Sequence, residues 1–350
     1  MMNQFHFHHL VSLRILLPLL AAILLAPASP SPTAAADPER LVVYSGRAER
    51  LIKPLLDSFQ SKTGIQVDLL SSGTTEVVNR LQAEGERTPA DLLITNDAGS
   101  LERARELGLL RSSTAPDTTA AIPAQFRAAD NGWIGLSGRF WIVVYNTKLV
   151  KPADLRSLLD LAEPRWKDKI AIPNAGSEYL QAGISVIKAV HGDDRTRQFL
   201  EGIKANAGTQ VYGKSSQIVE AVAKGQVALG VVNHYYVYRH LATQPDAPIA
   251  VLMPDQHEGG MGAIINVAGI GITAHTKHAG AAKRLVEYLI SEEGQKQFAD
   301  LNKEYPLNPR VAADPALPPY KTTRAAPVPL TKLGELREPA MALIEQAGLR

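Results

Sequence analysis

Gly230-Val231-Val232-Asn233-His234-Tyr235-Tyr236-Val237-Tyr238 is an apolar run that ends in an amide, an imidazole and two adjacent phenols. Residues 228–232 are apolar, with small and β-branched residues, and lie between Lys224-Gly225 and polar groups, which is the pattern of a short buried strand. The chemistry then belongs at a strand end. In an open α/β sheet, ligands bind beyond the carboxyl ends of the strands, so the fold turns on whether other strands of this kind run through the chain.

They do. Leu41-Val42-Val43-Tyr44-Ser45-Gly46 reads as a buried strand, and residues 49–62 follow with Leu51, Ile52, Leu55, Leu56 and Phe59 at helical spacing before Gly64 stops the helix. A second strand over 65–70, the turn Ser71-Ser72-Gly73-Thr74-Thr75 and a helix over 76–84 come next. Ala90-Asp91-Leu92-Leu93-Ile94-Thr95 is a third strand, ending at Asn96-Asp97-Ala98-Gly99 before a helix over 100–107. This β-α-β-α order predicts an α/β fold, with the turns at Ser45-Gly46-Arg47, Ser71-Ser72-Gly73 and Asn96-Asp97 lining one cleft.

A poorly periodic segment over 112–129 precedes Trp133-Ile134-Gly135-Leu136-Ser137-Gly138-Arg139 and an apolar strand over 140–145, where the first crossing between domains is expected. Residues 146–161 read as a loop and helix, and Lys169-Ile170-Ala171-Ile172 as a strand. The small-residue turn Pro173-Asn174-Ala175-Gly176-Ser177 opens a helix over 178–190, and exposed backbone N–H groups at such a start form an anion site. Further on are a helix over 199–206, the edge strand Gln210-Val211-Tyr212, and a helix over 218–224 opened by Ser215-Ser216. Pro245, Pro248 and Pro254 mark a loop, and residues 263–274 return as strand to the first domain. Two amphipathic helices over 279–290 and 292–299, then a Pro-rich tail with a closing helix near 339–347, complete a chain without internal repeats.

The 350 residues are 45% apolar and 21% charged, enough for two domains, and the net charge of +2 is scattered, which excludes a nucleic-acid footprint. Arg14, an apolar core over 15–25 and small residues ending in Ala34-Ala35-Ala36-Asp37 read as a secretory signal over residues 1–36, with cleavage after Ala28 or Ala36. An exported, periplasmic protein is expected. Zero cysteines leave no disulfide, thiolate site or lipid-bearing cysteine. The run His6-Phe7-His8-His9 belongs to the signal and is not read as a metal site.

The motifs Val42-Val43-Tyr44-Ser45-Gly46, Pro89-Ala90-Asp91, Leu136-Ser137-Gly138-Arg139, Asn233-His234-Tyr235-Tyr236 and Glu304-Tyr305-Pro306-Leu307-Asn308-Pro309 together resemble those of the periplasmic ferric-ion-binding proteins that feed iron ABC transporters. The resemblance implies a two-lobed periplasmic binding protein fold, type II-like, with the ligand cleft between lobes of 37–138 plus 266–312 and 139–265 plus 313–350. It implies Fe³⁺ as ligand, an inner-membrane ABC permease as partner, and a monomer. Tyr235 and Tyr236 would be the iron-binding phenolates, hard anionic oxygen donors of a kind known on ferric iron.

The chain departs from that pattern at Ala48, where many relatives carry a histidine ligand, and at Asn96, where some carry a glutamate. Asp97 is open to two readings, a cleft carboxylate or a helix cap, and Tyr179 to two, a third phenolate or packing. Alternation along a strand end turns His234 away from the site. A carbonate or phosphate would complete the coordination, with Gly176 and Ser177 in the turn and Ser215 and Asn233 as further donors. Arg47 and Arg139 would orient that anion or serve as interlobe ion pairs. A same-fold receptor for a phosphorylated or phosphonate molecule, using Arg47, Arg139, Ser177 and Ser215 without metal, is the competing reading. No nucleophile elbow, zinc-protease motif, Walker loop or dinucleotide fingerprint suggests an enzyme.

Overall fold

The computed structural model describes residues 39–112 and 120–349, so the expected signal segment lies outside the described residues. The first half contains β1 (Arg40–Ser45), α1 (Glu49–Thr63), β2 (Gln66–Ser71), α2 (Thr74–Glu84), β3 (Leu92–Thr95), α3 (Ala98–Glu106) and β4 (Ile134–Asn146). Then come β5 (Ile170–Pro173), α4 (Glu178–Ala207), β6 (Val211–Tyr212), α5 (Ser215–Ala223), β7 (Leu229–Asn233), α6 (His234–Thr243) and β8 (Ile249–Leu252). The chain closes with β9 (Ile264–Ile272), α7 (Ala279–Ile290), α8 (Glu292–Asn302), β10 (Tyr305–Pro306) and α9 (Lys332–Gln346).

The strand order β2-β1-β3-β9-β4-β7-β5-β6 holds two parallel groups. β1 pairs in parallel with β2 and β3, and β5 pairs in parallel with β6 and β7. Two antiparallel strands, β4 and β9, join them. Every residue of the thirteen-residue β4 is buried. Each parallel group has its own helices, so the sheet gathers two sets of strand ends about one crossing. α9 packs against both α3 and α4.

The apolar spacing read in the first helix is realised: Leu51, Ile52, Leu55, Leu56 and Phe59 are all buried, each stabilising the fold by roughly 1.5–3 kcal/mol. Gly64 closes that helix in the left-handed region at φ 74°, its N–H bonding Gln60 O. Three readings are corrected. Residues 146–161 hold short 3₁₀ turns, Pro152–Asp154 and Leu158–Ala162, in place of a helix. The proline-marked loop contains β8, paired with β4. The helices over 178–190 and 199–206 are one run, α4, broken at Gly192.

Two glycines set close approaches near the decisive stretch. A Cβ on Gly230 would lie 2.4 Å from Ile218 Cγ2, so β7 needs glycine there for α5 to lie on it. A Cβ on Gly183 would lie 2.5 Å from the Trp141 ring, so α4 needs glycine to settle over β4.

Candidate functional site

The tyrosine pair is helical. β7 ends at Asn233, which has extended angles (φ −75°, ψ 141°), and α6 begins at His234, placing Tyr235 and Tyr236 in its first turn. The strand-end alternation assumed for His234 therefore fails. Its ring is nonetheless held away from ligands: Nδ1 accepts the Phe140 N–H at 3.2 Å and Nε2 donates to Lys303 O at 2.9 Å. Burial lowers its pKa to about 4, so this tautomer stays neutral.

Tyr179 stands near the start of α4, just after Ser177, whose hydroxyl caps the helix on Leu180 N at 3.4 Å. The Tyr235 hydroxyl donates to the Tyr179 hydroxyl at 3.2 Å. Ring centroids of Tyr235 and Tyr236 are 4.5 Å apart, and those of Tyr179 and Tyr236 are 6.4 Å apart. Two helix starts from distant parts of the chain thus bring three phenols together. Burial pushes the Tyr179 and Tyr235 phenols upward from their ordinary value, and the neighbouring tyrosines add to it. Without a cation, these groups stay protonated.

A cavity of about 530 Å³ opens at this cluster, lined by Tyr179 and Tyr236 together with Asn96, Gly176, Ser177 and Ser215. Its wall also includes Arg50, Asn174, Tyr212 and Lys214, which the sequence reading missed. The turn at 173–177 pointed to the Asn174 region; Arg50 and Lys214 carried no signal beyond their charge.

The six anion candidates fall into three places. Gly176, Ser177 and Ser215 line this cavity. Arg139 and Asn233 line a smaller one, of about 10 Å³, that shares Tyr179 with the first. Arg47 lines neither: its Nη2 is 2.8 Å from Glu304 Oε2 with both side chains buried, an ion pair inside the first expected lobe and neither at the surface nor between lobes.

Asp97 caps α3 through one oxygen and leaves Oδ2 buried without a hydrogen-bond partner among the described residues. Its Oδ1 accepts the Ser100 N–H at 2.8 Å and lies 3.6 Å from Arg337 Nη1, off the wall of the large cavity. Glu178, one residue before Tyr179, reaches across to α2, where Oε1 accepts the Thr74 N–H at 3.1 Å. Burial, then the charge of Asp97, raises its pKa. Ala48 is exposed at the start of α1 and offers no side-chain ligand there. Among the described residues, no group of three histidines, aspartates or glutamates is placed to hold a metal. Among the described residues, no helix is long and apolar enough to cross a membrane.

The family model for bacterial extracellular solute-binding proteins matches residues 55–327. The Fe(3+)-binding periplasmic protein of Serratia marcescens is 31% identical over 319 residues, covering 90% of this chain and 92% of that protein. Iron uptake protein A1 of Synechocystis sp. is 28% identical over 329 residues, covering 92% and 91%. Iron-bound HitA from Pseudomonas aeruginosa superimposes with a TM-score of 0.83 at 28% identity, covering 89% of this chain and all of that one. These relatives are solute-binding transport proteins rather than enzymes, and the fold is the two-lobed one of periplasmic binding proteins.

Proposed function

This chain belongs to the bacterial extracellular solute-binding protein family, and we propose that within it the protein captures ferric iron in the periplasm through Tyr179, Tyr235 and Tyr236 and delivers it to an inner-membrane ABC permease. One observation carries the reading: three phenols from two helix starts cluster beside one cavity, Tyr179 and Tyr236 on its wall and the buried Tyr235 hydroxyl 3.2 Å from that of Tyr179. Phenolate is a hard anionic oxygen donor suited to Fe³⁺, and three phenolates would balance its charge. A carbonate or phosphate fits against Gly176, Ser177 and Ser215, at the capped start of α4 and beside Lys214 on the cavity wall. Asp97 stands outside this set because its carboxylate caps α3.

Binding displaces the phenolic protons, which burial otherwise holds in place, so acid releases the ion. The bond from Thr74 to Glu178 supports a closed state in which lobes divided near residues 139 and 266 meet over the ligand, β4 and β9 acting as hinge. We take the working form to be a monomer.

The test is visible absorption of the metal-stripped protein titrated with ferric citrate, with and without bicarbonate. A broad phenolate-to-iron band that requires Tyr235 and Tyr236, each lost on substitution by Phe in a folded protein, is expected. Absence of any band, with tight binding of a phosphonate instead, would replace iron by the metal-free anion reading.

A further inference from the structure

A second pocket, of about 540 Å³, shares no wall residue with the cavity at the tyrosine cluster. It forms where residues 123–126 face β10 and the chain that follows β10 as far as Lys321. β10 is fixed on β4, with Tyr305 opposite Gly138 and Pro306 opposite Ser137, so one wall is anchored to the sheet. The volume lies within the range of small-molecule sites.

Its walls are apolar. Phe126 and Leu307 are buried, and the Tyr320 ring centroid stands 6.2 Å from that of Phe126 and 6.0 Å from that of Tyr305. The polar groups among them are engaged within the protein: Tyr305 Oη donates to Pro318 O at 2.7 Å, and Tyr320 Oη accepts from Gln125 Nε2 at 3.3 Å. The Asn308 amide donates to Ile290 O at 3.1 Å and accepts the Arg310 N–H at 3.1 Å. Pro123, Pro306, Pro309 and Pro319 bring no N–H to the wall, so a bound peptide would find few backbone donors to pair with. A compact apolar body suits these surfaces better than a strand does.

The charge at the pocket is of one sign. Arg310 and Lys321 are both exposed on its wall, which contains no aspartate or glutamate. Arg310 lies 3.5 Å from Glu292 in a pair open to solvent on both sides, which holds it weakly. Lys321 makes no ion pair among the described residues. Two cations beside an apolar surface complement a ligand with an acid group on an apolar body.

We propose that this pocket binds an aromatic organic anion, its flat body against Phe126, Leu307 and Tyr320 and its acid group at Arg310 and Lys321. This is a second ligand, separate from the one taken at the tyrosine cluster, and the site stands whether or not the phenols take a metal.

The experiment titrates the metal-free full chain with anilinonaphthalene sulfonate and with phenylnaphthylamine, the same body without the acid group, and follows probe fluorescence. Saturable binding of both is expected, with the anion about fivefold tighter, the scale of two exposed ion pairs. Ala312→Trp, at an exposed wall residue, fills the pocket and should remove the saturable signal of both probes. Arg310→Ala combined with Lys321→Ala should erase the preference for the anion and keep the binding of its uncharged twin. All three are surface changes, and circular dichroism melting like that of the wild type identifies the folded variants. Equal affinity for the two probes in the wild type, a preference that survives loss of both cations, or a signal indifferent to Ala312→Trp would overturn the proposal.

Discussion

Arg47 and Arg139 are both long cations buried almost completely, each just beyond a motif that pointed to an anion. Arg47 reaches Glu304 across 257 residues of sequence at 2.8 Å, and Glu304 also accepts from Ser137 Oγ at 2.9 Å. Arg139 has its Nε and Nη2 unanswered and faces the Tyr179 ring. Burial alone therefore does not mark a site. What separates the two is the carboxylate: Arg47 has one and leaves only its Nε without a partner among the described residues, while Arg139 leaves both Nε and Nη2.

The largest effect should come from breaking the paired arginine. Glu304→Gln strands the Arg47 charge in the interior and should cost about 3–5 kcal/mol in denaturant unfolding. Replacing both partners, Arg47→Met with Glu304→Leu, should recover most of that loss. A protein that tolerates the single change would mean that Arg47 answers to something else.

Next is the dependence of iron affinity on pH. Tyr179 and Tyr235 have raised pKa values in the metal-free fold, so the protonated forms persist there and iron must displace each proton. Each phenol ionised on binding makes affinity fall about tenfold per unit of falling pH. Arginine does not titrate in this range, so Arg139→Met should lower the affinity at every pH and leave the slope unchanged. Competition with a colorimetric chelator over a pH series reads both quantities, and a flat profile would exclude the phenols as ligands.

In stability, Arg139→Met should shift unfolding by less than about 1 kcal/mol, since it removes no protein–protein ion pair. A loss as large as that of Glu304→Gln would erase the contrast. The smallest effect belongs to Asp97→Asn, which keeps a cap oxygen for Ser100 and should change stability by a few tenths of a kcal/mol, about the spread among good caps. Unchanged iron binding in that variant is expected, and a large loss would return Asp97 to the ligand set.

Much of the architecture was legible because it rests on local pattern. The spacing of Leu51, Ile52, Leu55, Leu56 and Phe59 and the stop at Gly64 need no tertiary information. Tyr235 and Tyr236 were legible as an unusual pair, but their placement on a helix was not, because strand-favouring Tyr and Val residues continue past Asn233-His234 into α6. β8 was hidden by prolines that flank it. The Arg47–Glu304 pair joins opposite ends of the chain, and no periodicity carries that. Asp97 was open to two readings in the sequence, a cleft carboxylate or a helix cap, and only the fold shows its Oδ1 accepting the Ser100 N–H.

The position of β4 has a further consequence, for the speed at which the molecule breathes. It is paired along its length by β9 and β10 toward one end and by β7 and β8 toward the other. Its amides should therefore exchange with deuterium only when the whole protein unfolds, whether or not the cleft is filled. The Thr74 amide, held across the cleft by a single carboxylate, should exchange in the open state and slow on ligand capture. The ratio of those two rates would time the opening against a clock within the same molecule.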